Sequence, residues 1–328
     1  MARVVLIKVA AMFLVIVVGW LARRRGFLAA EFTATLSRLV VDIAFPALVF
    51  TQMLRTVDAA ALREGWFSPL LCGLLIVVAY AVGLALGPLF SAKTQRNTFI
   101  FLVAIPNWLF LPLPIAEALY GSAGVRAVLL CNVGAQLVLW SFGVWILHGT
   151  VRQAARNLIV NAGLWATALG VGTVLLFPAS RELETFNAAT ANVTWLVGGT
   201  LVQVLAMVGS LTIPLSLLAI GAQLGGLVVP LHRLPRALWG VILGRLLVAP
   251  MVTLALGWVA IKAGLRLPEA TLMVGYLIAT MPVAITCSVM TERFKGDVNL
   301  AAQSIFYSTL FSLLTVPAIF FLIQRFGL

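Results

Sequence analysis

The sequence predicts an all-α polytopic membrane protein. Three observations predict it: 62% of the 328 residues are hydrophobic, only 10% are charged, and mean hydropathy is +1.10. Soluble domains carry about a quarter charged residues. Apolar runs near the ~20 residues that a bilayer-spanning helix needs recur from end to end. The alternating short strands of an outer-membrane barrel are missing from the pattern.

Ten spans follow in order. The first, 3–22, precedes Arg23-Arg24-Arg25; a signal peptide has its basic cluster in front, so this run reads as a retained helix. The second, 33–53, holds VDIAFPALVF with Pro46, and the third, 66–90, is almost wholly apolar. The fourth, 97–120, contains AIPNWLFLPLPIAEALYG, where three prolines, an asparagine and a glutamate interrupt a membrane run. The fifth, 124–147, carries Asn132 and Gln136 on one face, and the sixth is 158–178. The polar stretch 179–194 reads as a loop or interfacial helix. The seventh, 195–224, holds GSLTIPLSLL with Pro214; the eighth, 236–260, buries Arg245. The ninth, 269–291, is broken by ATMPVAITCS at Pro282, and the tenth is 298–324.

The net charge of +12 does not point to nucleic acid, because the basic residues sit in short turns between apolar runs. Twelve Lys and Arg fall on the side of Arg23–Arg25 and nine on the other, which predicts that the first side is cytoplasmic and both termini are not. Location in the cell inner membrane follows. Cys72, Cys131 and Cys287 lie inside apolar runs and read as small packing residues. His148 and His232 fall in loops of opposite halves. No metal-ligand spacing, nucleophile–base arrangement or phosphate loop appears, so the expectation is neither an enzyme nor an ATP-driven pump, with no cofactor.

Pro46 and Pro214 are offset by 168 residues, and Pro106 and Pro282 by 176. The near-equal offsets, in the same span order, suggest two copies of one unit, 1–150 and 151–328. Five spans is an odd number, so the copies enter the membrane from opposite sides as an inverted repeat.

A proline removes a backbone donor and clashes with the preceding turn. Broken backbone at membrane depth survives only in a protein interior or along a wet cavity. Each break also creates a half-helix N-terminus, whose free N–H groups and positive dipole end attract anions. The candidate substrate site is therefore Pro106, Asn107, Leu113 and Pro114 at the first break, with Pro282, Val283 and Thr286 at the second. Gln136 and Gln303 are candidates to line the same cavity. The Asn107 amide either donates to a substrate carboxylate or caps its own broken helix. Glu117 is either a coupling carboxylate, or a group that reaches interfacial water or pairs with Arg126. Asp42 reads as a local ion pair with Arg38, four residues before it. Arg245 either joins helices through a buried acceptor or neutralises an anion in transit; the structural role is the expectation.

Several phrases resemble the auxin efflux carrier family, which includes bacterial permeases for small organic acids such as malonate. They are GWLARRRGFL, PALVF, IPLSLLAIGAQL, GRLLVAP and, in the tenth span, DVNLAAQSIFYSTLFSLLTVP. Their order covers nearly the whole chain. The resemblance implies two inverted five-helix repeats with crossed, broken fourth and ninth helices. It also implies a scaffold part and a transport part, organic-anion substrates, and dimerisation through scaffold helices in some members. Asn107 and Pro114 fit the family's fourth-span spacing; Pro112 stands where glycine is usual, and Asn161-Ala162-Gly163 where an asparagine–proline pair is usual. The runner-up is a sodium-coupled symporter of the related bile-acid type. It normally needs acidic and amide ligands around the crossing, of which only Asn107, Glu117, Thr286 and Ser288 are in place. An intramembrane enzyme is the third reading.

Overall fold

The computed structural model describes residues 2–147, 162–183, 193–226 and 234–326. The boundary expected at 150/151, His148, Asn161 and His232 lie outside them. The described residues are helical, with no β-strand beyond one isolated bridge.

The helices are α1 (Ala2–Arg24), α2 (Ala30–Thr56), α3 (Ala59–Phe90), α4 (Arg96–Ala104), α5 (Pro112–Gly143) and α6 (Ala162–Leu176). They are followed by α7 (Trp195–Gly225), α8 (Arg236–Lys262), α9 (Glu269–Thr280), α10 (Thr286–Arg293) and α11 (Val298–Phe326). Six of these, α2, α3, α5, α7, α8 and α11, are long and apolar enough to cross a membrane; α6 and α9 are apolar but shorter. At this level the structure is an all-helical, multi-pass membrane architecture. Inside α5, Gly121 at φ 56° turns the chain, so 112–120 and 122–143 run in different directions. Only glycine takes that backbone region without strain.

Two packed bodies emerge. In the first, α1 lies along α7, and α2 packs on α6 and α7. An added Cβ at Gly221 would stand 1.9 Å from the Ile16 carbonyl oxygen, so the α1–α7 contact is backbone on backbone. In the second, α3 packs on α4 and α5, α9 on α5 and α8, and α11 on α8 and α10. The bodies meet chiefly where α1 and α2 touch α5 and α11.

Three π-helical segments widen the helices, at Val40–Ala44, Leu139–Gly143 and Gly244–Val248. The first and third each run into a residue followed by proline, Pro46 and Pro250. Proline has no N–H to return to the carbonyl four residues before it, and its ring crowds that carbonyl. An extra residue in the turn relieves the clash. The three cysteines are buried and unpaired, and Cys131 donates to the Ser68 carbonyl at 3.3 Å.

Candidate functional site

The site begins where two helices stop. α4 ends at Ala104 and the chain resumes as α5 at Pro112; α9 ends at Thr280 and resumes as α10 at Thr286. Both breaks are largely buried. They lie against each other as an antiparallel bridge between Pro106 and Val283. The Asn107 N–H donates to the Pro282 carbonyl at 2.8 Å, and the Ala284 N–H to the Ile105 carbonyl at 3.1 Å. Each break thus satisfies backbone groups of the other, where lipid offers no substitute.

Remaining groups find side chains. Asn107 Oδ1 accepts from the Phe110 N–H at 3.1 Å, the capping role foreseen as one of its two readings. With that oxygen engaged, the amide NH2 is the part of Asn107 left for a ligand. Ser308 Oγ, on α11, accepts from the Val283 N–H at 3.1 Å.

Four half-helix ends converge here, and their electrostatics differ. The C-termini of α4 and α9 present carbonyls and the negative ends of two dipoles. Arg245, 2% exposed, answers both: Nη1 donates to the Val103 carbonyl at 3.0 Å and Nη2 to the Ala279 carbonyl. Its acceptors are backbone carbonyls of two different helices. The two remaining ends, the N-termini of α5 and α10, have no side-chain cap among the described residues.

A chamber of about 330 Å³ opens beside the crossing, between the two bodies. One wall is Val41, Asp42 and Phe45 of α2 with Ala162 and Gly163 of α6. The other is Asn107–Phe110 of the first break, Gln136, Leu139 and Trp140 of α5, and Ala284–Thr286 with Met290 of the second. Gln136 Oε1 accepts from the Trp140 indole at 3.0 Å, and Trp108 donates to Asn132 Oδ1 at 3.0 Å. Thr286 Oγ1 is buried without a partner among the described residues. Beside the crossing, against α1, the space shrinks to about 20 Å³ among Met12, Ile16, Leu111 and Met281, room for roughly one water.

The structure brings Asn107, Gln136 and Thr286 to one chamber. Pro106, Pro282 and Val283 form the crossing behind its wall. Leu113 and Pro114 sit in the first turn of α5 and do not line the chamber, nor does Gln303, whose buried Oε1 on α11 lacks a partner among the described residues. Glu117 is exposed and outside the chamber; Arg126 pairs instead with Glu64 at 3.9 Å and with the Thr56 carbonyl at 3.1 Å. Asp42 makes no ion pair with Arg38 among the described residues; it lines the chamber. The sequence reading missed Trp108, Trp140, Phe45 and Ser308. Trp140 stands four residues after Gln136, a spacing that announces their contact. Nothing near Ser308 advertises its partner across the fold.

A multi-pass helical protein built round two interrupted, crossing helices and a chamber at their meeting point is the form of a membrane transport protein. Residues 4–161 match the family described as Membrane transport protein, the auxin efflux carrier family, and residues 228–327 match the Sodium Bile acid symporter family. The chain is 26% identical over 317 residues to an "uncharacterized transporter" of Methanothermobacter thermautotrophicus, covering 94% of this chain and 95% of that one. It is 23% identical over 316 residues to one of Methanocaldococcus jannaschii, covering 92% and 94%. Over residues 4–161 the chain is thus similar to the auxin efflux carrier family of membrane transporters.

Proposed function

We propose that this protein is a secondary transporter that moves a small organic anion, such as a mono- or dicarboxylate, across the inner membrane by alternating access. The observation that carries the reading is the asymmetry at the crossing. Arg245 answers the two negative half-helix ends, whereas neither positive end has a side-chain cap among the described residues, and the start of α10 borders the chamber. A carboxylate in the chamber gains the dipole of α10 and the Asn107 amide.

In this reading the fourth span is α4 plus 112–120, the ninth is α9 plus α10, and the chain has ten spans in two inverted repeats. The chamber lies between the bodies, so a displacement of α3–α5 and α8–α11 against α1, α2, α6 and α7 exchanges the open side for the closed one. In this reading the chamber opens to the side bearing Arg23–Arg25, read as cytoplasmic, with both termini outside. Dimerisation through the α1, α2, α6 and α7 body belongs to the same reading.

The test is uptake of radiolabelled carboxylates into proteoliposomes. Wild type accumulates at least one, and Asn107→Ala lowers its kcat/KM by roughly tenfold or more, as expected for a hydrogen bond to a charged group. Uptake by wild type that Asn107→Ala and Pro282→Ala leave untouched sinks this site. The match of residues 228–327 to the bile-acid symporter family supports a second reading, sodium coupling. Replacing sodium by choline separates the two: uptake falls to background only if sodium is obligatory.

A further inference from the structure

Among the described residues Asp42 is the one ionisable side chain lining the chamber, and no Lys, Arg or His lines it. It sits on the first body, in a different wall from Asn107 and Thr286. Its backbone is fixed by the π segment Val40–Ala44, and Pro46 cannot donate to its carbonyl. The side chain is exposed and makes no ion pair among the described residues. Of the helices packed on α2, α6 and α7 bring no titratable side chain toward it from their described residues, and α5 carries Glu117, Tyr120, Arg126 and Cys131 outside the chamber. On its own helix the charged neighbours are Arg38, one turn before, Glu31 near the start and Arg55 near the end. Across the chamber, α10 ends in Glu292 and Arg293.

This placement conflicts with an anion in the same space. Two negative charges confined between apolar walls repel far more than in water. Among the described residues the lining offers no fixed cation to offset the pair. A proton on one of them removes the conflict. Resting on the anion reading above, we propose that Asp42 carries a proton with each anion. An Asp42 carboxylate oxygen binds a proton from water on the open side. The anion then enters, both cross together, and the proton is released to water on the far side. A monocarboxylate crosses without net charge; a dicarboxylate dianion crosses with one net negative charge. Glu117, the carboxylate that the sequence suggested for coupling, is outside the chamber and takes no part.

The experiment compares wild type, Asp42→Asn and Glu117→Gln in proteoliposomes containing a trapped pH dye, with labelled malonate, succinate and lactate as probes. Wild type is expected to admit protons with its anion and to concentrate a monoanion about tenfold per unit of imposed pH gradient. In Asp42→Asn the gradient drives no accumulation, while anion-for-anion exchange, which needs no net proton movement, persists at a reduced rate. Glu117→Gln behaves as wild type. Four results would overturn the proposal. Wild-type uptake of none of the probes fells the anion reading and this inference together. Wild-type uptake without proton entry leaves the anion reading standing and fells the coupling. Gradient-driven accumulation retained in Asp42→Asn does the same. Loss of exchange along with accumulation in Asp42→Asn assigns the residue to the fold or the chamber wall instead.

Discussion

The two breaks solve one problem by different means. The first, between α4 and α5, supplies its own cap: Asn107 folds its oxygen back to the Phe110 N–H three residues on. The second, between α9 and α10, has no such residue, and its Val283 N–H depends on Ser308 from α11. Local sequence therefore dictates one break, and tertiary packing completes the other. Arg245 is common to both, because it reaches the last carbonyls of α4 and α9 together.

The largest effect belongs to this shared element. Arg245→Met leaves two buried helix ends without their charged donor, a loss of about 1.5–3 kcal/mol for each bond. Thermal melting in detergent should show a fall of many degrees or no folded protein; a melt like wild type would detach the two breaks from each other. Ser308→Ala comes next. It orphans the Val283 N–H, which costs about 1–3 kcal/mol and should lower the melting temperature measurably. If Ser308→Ala is silent, the second break is as self-sufficient as the first. Asn107→Ala should cost only about 1 kcal/mol, as a lost local cap does, yet it should cost most of the transport. Equal damage to stability and transport would reduce Asn107 to a cap.

The smallest effect lies far from the crossing and acts as its control. Asp58 caps α3 by accepting from the Ala61 N–H at 2.7 Å and pairs with Arg181 at 3.1 Å. That backbone N–H, chiefly, with Arg181 second, holds the exposed Asp58 carboxyl below its ordinary range. A depressed folded value means that the contribution is complete above the unfolded value and fades as pH falls through the folded one. Melting temperature should therefore dip slightly more in wild type than in Asp58→Asn as pH is lowered from about 5 to about 3. Salt screening keeps the difference small. A dip in Asp58→Asn as deep as in wild type would remove Asp58 from the account.

Much of the fold was legible because lipid imposes it. The apolar runs had to be helices, and prolines at Pro106 and Pro282 had to interrupt them, since each removes a donor that nothing in lipid replaces. The crossing partners were legible only as an offset between two prolines. The site was read less well. Glu117 attracted attention because it is an acid in an apolar run, but the turn at Gly121 places it on an exposed helix end. Asp42 looked like half of an i, i+4 pair with Arg38, a spacing that assumes an α-helix. Asp42 lies inside the wider π segment Val40–Ala44, and the residue ends in the chamber wall. Aromatic walls such as Trp108 and Phe45 carry no sequence mark that separates them from core.

The Pro106–Val283 bridge joins segments more than half the chain's length apart. During synthesis the earlier segment must wait for the later one, on the order of ten to thirty seconds at ribosomal speeds. Through that interval the Ile105 carbonyl and the Asn107 N–H have no permanent mate. The nascent first half is thus an unfinished clasp held open in the translocation machinery, and the molecule's most vulnerable moment comes before its last third exists.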